Sequence, residues 1–302
     1  MELIKPGTTF NFVGIRHYAV VISTILNLAV IVFLILRGGP NYGVDFSGGT
    51  VMHVKFKTPP SISDVRAALG SEFGDVTIQD FGAAGEFLIR LPLTGEETAK
   101  ASKQVSEGLA NKFGQGQVEI LRVESVGPRV GSDLRRKAFL AVCFSTMMMG
   151  VYIWFRFQWR FGLGAAVALV HDVLITLGAL VVMRYEIDLT IVAALLTVVG
   201  YSVHDTVIVS DRIRENMRKS RRESMASIIN SSINETLSRT ILTSGTALLV
   251  TLALYFLGGN VINGFAFALV VGFITGTYSS IFIASPIVLA FERAPAARGG
   301  RR

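Results

Sequence analysis

Residues 187–209 read IDLTIVAALLTVVGYSVHDTVIV, an apolar stretch with an aspartate, Asp205, near one end. A membrane-spanning helix needs about 20 mainly apolar residues, so this stretch is long enough to cross a bilayer. An ionised carboxylate inside such a helix costs at least ~2.5–3.5 kcal/mol, and one that persists has a partner or a task. Asp205 lies seven residues before Arg212, roughly 10 Å along a helix at ~1.5 Å per residue, so it sits in the half of the span nearer Arg212. Thr197, Tyr201 and Asp205 follow one another at i, i+4 and i+8, with Ser202 and Thr206 beside them, as one polar stripe. Lipid cannot satisfy that stripe, so it faces protein or water. A purely structural, hydrogen-bonded acid is the plainer alternative for Asp205.

Working outward, titratable groups recur on the neighbouring apolar runs. His171 and Asp172 lie near the middle of run 161–183. Adjacent residues point about 100° apart on a helix and need not touch. Histidine suits proton passage, and an interhelical hydrogen-bonding role is equally compatible with the pair. His204, beside Asp205, carries the same two readings. Arg239 opens run 240–257, with Thr243 and Thr246 on its face. It is either a snorkelling arginine or the partner of Asp205, since consecutive antiparallel spans have level ends. A guanidinium that approaches and withdraws would let the acid alternate between charged and neutral.

The whole chain fits this setting. It has 302 residues, 51% hydrophobic and 17% charged, with mean hydropathy +0.52. Soluble domains carry about 25% charged residues. Six runs are long and apolar enough to span: 17–36, 138–155, 161–183, 187–209, 240–257 and 264–290. No A-x-A-like cleavage site follows the first. The expected organisation is an N-terminal segment and first span (1–36), an outer domain (37–133), a bundle of five spans (134–290) with a cytoplasmic loop at 210–238, and a basic tail (291–302). Arg212, Arg214, Arg218, Lys219, Arg221 and Arg222 in that loop, Arg156 and Arg160 in another, and Arg293 to Arg302 in the tail fall on one side. The bias of Lys and Arg to cytoplasmic loops then puts both termini in the cytoplasm. Arg135, Arg136 and Lys137 conflict locally with that bias and read as an interfacial helix partly countered by Asp133.

The net charge of +7 belongs to these loops rather than to a nucleic-acid surface. The single cysteine, Cys143, excludes an intrachain disulfide. No phosphate-binding loop, zinc pair or nucleophile elbow is present, so no enzyme activity, metal or cofactor is expected.

The outer segment alternates strand and helix patterns. Residues 50–57 alternate with period two and end at Pro59 and Pro60. Ser61 caps a helix carrying Ile62, Val65, Ala68 and Leu69. Residues 75–81 and 87–91 read as a strand pair, 94–113 as a helix and 117–123 as a fourth strand. The order βαββαβ is a ferredoxin-like unit, giving an α-helical membrane protein of six spans with one small α+β domain. Gly272-x-x-x-Gly276 in the last span reads as a close helix-packing motif.

These pieces, in order, resemble the bacterial SecD/SecF family of the resistance-nodulation-division superfamily. They are Tyr42-Gly43-Val44-Asp45-Phe46-Ser47-Gly48-Gly49-Thr50, Val126-Gly127-Pro128, Leu134-Arg135-Arg136-Lys137-Ala138, residues 168–173 around Asp172, residues 200–216 around Asp205, and Asn234-Glu235-Thr236-Leu237-Ser238-Arg239-Thr240. The resemblance implies an inner-membrane subunit that pairs with SecD and joins the SecYEG channel, with YajC and the translocating preprotein as further partners. It implies energy drawn from the proton gradient, with Asp205 and Arg239, and less firmly Asp172, on the proton path. The family usually has Asn at position 204 and Phe at 210, where this chain has His204 and Ser210. Gly43, Asp45, Phe46, Gly48 and Gly49 match a family motif with no chemistry attached. The glycines are expected to make a tight exit from the first span into the first strand. Rival readings are a small-molecule or lipid exporter half, an intramembrane aspartyl protease using Asp172 and Asp205, and a passive assembly factor.

Overall fold

The computed structural model describes residues 9–69, 76–81, 85–91, 96–220 and 222–291. Helix α1 (Phe12–Leu36) is the first span. Its exit runs through Gly38 and Gly39, both with positive φ. A four-residue helix, α2 (Val44–Ser47), stands between it and the first strand. The glycines of the family motif therefore turn the chain from α2 into the sheet, rather than directly out of the first span.

The small domain follows as β1 (Gly49–Phe56), α3 (Ile62–Leu69), β2 (Thr77–Asp80), β3 (Glu86–Leu91), α4 (Glu96–Phe113) and β4 (Val118–Val126). The sheet order is β2-β3-β1-β4, and every neighbouring pair is antiparallel. This is the expected ferredoxin-like arrangement. Alternation decides which face is buried: Met52, Val54 and Phe56 of β1 and Phe87, Ile89 and Leu91 of β3 point under the helices. Val65 and Leu69 of α3 and Val105 and Leu109 of α4 close that core. Burying each such side chain stabilises the fold by about 1.5–3 kcal/mol.

The remaining spans are α5 (Pro128–Arg156), α6 (Trp159–Val182), α7 (Leu189–Lys219), α8 (Met225–Leu257), and a last one made of α9 (Asn260–Ser279), a π-helical turn (Ser280–Ala284) and α10 (Ser285–Ala290). The π turn precedes Pro286, which lacks the N–H that a regular α-helix would use. The chain is thus a multi-pass membrane protein, and three sequence expectations need correction. Arg135, Arg136 and Lys137 do not form a separate interfacial helix. They lie on the early turns of α5, where Lys137 pairs with Asp133 at 2.7 Å. The expected boundary at 133/134 therefore falls inside a helix that starts at Pro128, a residue suited to a first helical turn. Residues 210–238 are not an open loop. Helices α7 and α8 continue beyond the apolar runs and are joined only by residues 220–224. Their extensions bury Ile213, Met225, Ile228 and Ile229, and carry Arg212–Glu215 and Lys219–Glu215 pairs at 2.9 and 2.6 Å. Ser224 accepts a hydrogen bond from the Ser227 N–H as the cap of α8. Hydropathy found the apolar part of each helix and missed these amphipathic ends. The tail from residue 292 and the N-terminal Lys5 lie outside the described residues.

Small residues let the spans approach. A Cβ on Gly272 would stand 2.0 Å from Val198 Cγ2, and one on Gly276 would stand 3.1 Å from Ser202 Cβ. The Gly272-x-x-x-Gly276 stripe therefore seats α9 directly on α7, as the packing motif implied. That contact brings the hydroxyls just beyond it to the buried acids.

Candidate functional site

Two carboxylates with no exposed surface sit between the spans, one turn apart along α7. Asp172, on α6, accepts hydrogen bonds at Oδ2 from Ser202 of α7 (2.6 Å) and Ser279 of α9 (2.7 Å). Its Oδ1 lies 2.9 Å from His171 Nδ1. The adjacent His171 and Asp172 do touch, and the buried imidazole stacks on Tyr278, centroid to centroid 6.0 Å. Asp205, on α7, accepts at Oδ2 from Ser244 of α8 (3.0 Å) and Thr277 of α9 (3.4 Å). Its Oδ1 has no hydrogen-bond partner among the described residues. The nearest titratable nitrogen is His204 Nδ1 at 3.7 Å, and the His204 side chain is 55% exposed. The two acids share no hydrogen-bonding group, so they do not form a carboxyl dyad.

The polar stripe of α7 divides rather than facing one way. Ser202, Asp205 and Thr206 point into the bundle, and Thr197 and His204 point out of it. Thr197 bonds its own Ala193 carbonyl at 2.8 Å. Tyr201 packs on Phe273 with ring centroids 4.1 Å apart. Thr243 and Thr246 likewise bond carbonyls of α8. Ser244, Thr277 and Ser279, which supply the hydroxyls to the acids, were not singled out from the sequence. Ser244 is the neighbour of Thr243, and nothing in one helix says which of two adjacent hydroxyls meets the next helix.

The structure does not bring Arg239 to Asp205. Arg239 is exposed and makes no ion pair among the described residues. The contacts Asp205–Ser244 and Asn216–Ser232 set the level of α7 against α8. They place Arg239 roughly 8 Å along α8 from Ser244, at ~1.5 Å per residue. The outer side of the α7–α8 contact is anchored by Arg212 and Glu235 at 3.3 Å. One turn further along each helix sets Arg239 opposite Ile208, and a second sets Thr243 opposite His204. In this register Arg239 and His204 lie about one turn apart on the exposed side of the α7–α8 contact, and His204 Nδ1 is 3.7 Å from Asp205 Oδ1.

The Asn234-Glu235 part of the motif has its own work. Asn234 accepts from the Phe10 N–H at 2.7 Å and donates to its carbonyl at 2.9 Å, and Asn230 donates to the same carbonyl at 3.0 Å. The segment before α1 is thereby clamped to α8, while Glu235 holds Arg212 of α7.

The glycine motif joins the small domain to α7. Asp45 Oδ2 accepts from the Leu189 N–H at 3.0 Å, and Asp188 accepts from the Ile191 N–H at 2.8 Å. Two carboxylates thus cap the first turn of the helix that carries Asp205. The Gly43 N–H donates to the Ile187 carbonyl at 2.9 Å, and the Ile187 N–H donates to Asn41 at 2.7 Å. Phe46 is buried with Ile191 and Val198. Gly48 (φ +76) could not carry a Cβ, which would meet Pro128 Cα at 2.9 Å. On the sheet side, Arg90 of β3 forms an ion pair with Glu186, just before α7. Burial pushes the Arg90 pKa below its ordinary value, and the charges of Asp188 and Asp45 oppose that shift. Among the described residues no group of three or more His, Cys, Asp or Glu side chains is placed to hold a metal ion.

Comparison with known proteins agrees with this architecture. Residues 105–294 match the family described as protein export membrane protein SecD/SecF, C-terminal, and residues 33–60 match the SecD/SecF GG motif. The chain is 47% identical to protein translocase subunit SecF of Desulfurispirillum indicum, covering 92% of this chain and 90% of that one. It is 40% identical to SecF of Pseudomonas aeruginosa, covering 95% and 92%. The crystal structure of SecDF, a translocon-associated membrane protein from Thermus thermophilus, superposes with a TM-score of 0.84 at 37% identity. That match covers 94% of this chain and 39% of the longer one.

Proposed function

Since the chain belongs to the SecD/SecF family and is a subunit of Sec protein export, we propose that it couples proton flow to late steps of preprotein translocation, paired with SecD. The observation that carries this reading is Asp205, fully buried and with one carboxyl oxygen unpartnered beside an exposed histidine. A proton arriving at the exposed side of the α7–α8 contact would pass by His204 to Asp205. Arg239, about one turn away on the same exposed side, would set the charge state of the acid as the helices shift. Asp172 and His171 would flank the route at the next turn. The caps and ion pair at the start of α7 would carry that shift to the small domain, which would act on the emerging chain.

In this reading the subunit is not an enzyme and needs no resident cofactor, its energy coming from the proton gradient. It sits in the bacterial inner membrane with both termini in the cytoplasm, and SecYEG, YajC and the preprotein complete the assembly. His204 is exposed on the outer side of α7, with Gly200 beside it leaving room for close helix approach, which supports a protein partner such as SecD there, because lipid cannot satisfy the imidazole.

The test is export into vesicles containing SecD, SecYEG and this subunit under an imposed proton gradient. Asp205→Asn and Arg239→Met should assemble normally and lose the gradient-dependent stimulation. Undiminished stimulation in both would leave the passive assembly role instead.

A further inference from the structure

A second feature of the spans lies on the opposite side of α7. A groove of about 550 Å³ opens laterally between α5, α6 and α7. Phe139 and Met147 of α5, Val170 of α6 and Leu195 of α7 line it, and Arg135 and Tyr42 stand at its mouth. Leu195 and His204 are nine residues apart, which puts them on opposite sides of the helix. The groove is therefore separate from the polar side assigned above to a protein partner.

We propose that this groove binds one anionic phospholipid from the leaflet on the small-domain side, an acyl chain in the groove and the phosphate on Arg135. Three observations fit together. The walls are almost wholly apolar and lie within the spans, so a hydrocarbon chain is the ligand of matching chemistry. Arg135 to Met147 covers about 18 Å of helix at ~1.5 Å per residue, close to the ~15 Å depth of one leaflet's hydrocarbon. At the mouth the Arg135 guanidinium lies over the Tyr42 ring, 5.1 Å from its centroid, and makes no ion pair among the described residues. Lys137 is paired with Asp133, whereas Arg135 and the exposed Arg136 have no carboxylate partner among the described residues. An anionic headgroup there accounts for a basic cluster that the usual charge bias of membrane proteins does not explain.

The experiment uses the full chain in detergent, titrated with phosphatidylglycerol or phosphatidylcholine and read by native mass spectrometry. One phosphatidylglycerol should remain bound in preference to phosphatidylcholine. Arg135→Ala should weaken it about fivefold, the ~1 kcal/mol expected of one basic side chain near an anionic surface. Val170→Trp, which fills the groove, should abolish it, and Arg214→Ala at the other end of the bundle should leave it unchanged. A second readout does not depend on the groove-filling variant folding. Cys143, the sole cysteine, lines the groove, so maleimide labelling in nanodiscs should be slower with phosphatidylglycerol than with phosphatidylcholine. Arg135→Ala should erase that difference. Equal lipid retention in wild type and Arg135→Ala, or equal labelling rates in the two lipids, would overturn the proposal.

Discussion

Asp172 and Asp205 are both fully buried, yet their surroundings differ. Asp172 is held from three elements: by the Nδ1 of His171 beside it and by hydroxyls donated from Ser202 on α7 and Ser279 on α9. Both of its oxygens are occupied, and it ties α6, α7 and the last span together. Asp205 receives hydroxyls at one oxygen only, and its other oxygen points toward a half-exposed histidine. Hydrogen bonds accepted by a carboxylate favour its charged form, so one engaged at both oxygens takes up a proton less readily. One that is half satisfied beside a titratable, wetted side chain can gain and lose a proton at lower cost. The contrast favours a mainly structural part for Asp172 and fits the proton exchange proposed for Asp205.

The largest change should come from the packing both sites depend on. Gly272→Val would drive a branched side chain into Val198 and separate α9 from α7. Overpacking of this kind costs about 1–3 kcal/mol, and both acids would lose their α9 hydroxyls, so a lower melting temperature in detergent should accompany lost export. A sharper contrast comes next. Asp172→Ala leaves the buried Ser202 hydroxyl unpaired and Ser279 with only its Gly276 carbonyl, at ~1–3 kcal/mol for an orphaned buried group, and Asp205→Ala should lower the melting temperature less. Equal losses would erase the distinction drawn here. Asp45→Ala should cost ~0.5–2 kcal/mol as a lost helix cap and weaken the link from domain to α7. It should reduce gradient-driven export while leaving Asp205 chemistry intact. His204→Asn, which removes the titratable ring beside Asp205, should keep assembly and export but move the pH dependence of stimulation.

The smallest effect lies in the small domain. The Lys55 ammonium beside Glu86, helped by His53 and opposed by burial, holds the Glu86 carboxyl below its ordinary range. A lowered folded-state pKa contributes stability above the unfolded value, and that stability is lost as pH falls through the folded one. Amide protection factors in β1 and β3, corrected for the intrinsic pH dependence of exchange, should therefore fall slightly on acidification, and Glu86→Gln should flatten that response.

The fold was largely legible in the sequence because hydropathy and period-two alternation are local signals. The six apolar runs, the βαββαβ order and the Gly272-x-x-x-Gly276 contact all carry their meaning within one segment. The helical extensions of α7 and α8 were not legible, since their charged faces look like loop when read by hydropathy. At the site, the acids stood out because ionisable residues inside apolar runs are rare. Their partners did not, because Ser244, Thr277 and Ser279 are ordinary span residues until three helices are packed. Arg239 shows the same limit. Level ends were read correctly, but its direction around α8 depends on the register fixed by Glu235 and Arg212. The motif around Asp45 gained a role only when the Leu189 N–H was seen beside it.

The most direct test is infrared spectroscopy of the subunit assembled with SecD in lipid vesicles, following carboxyl protonation as the pH on one side is changed. The protonation-dependent carboxyl band should vanish in Asp205→Asn and persist in Asp172→Asn. A band that survives Asp205→Asn and disappears in Asp172→Asn would contradict the account.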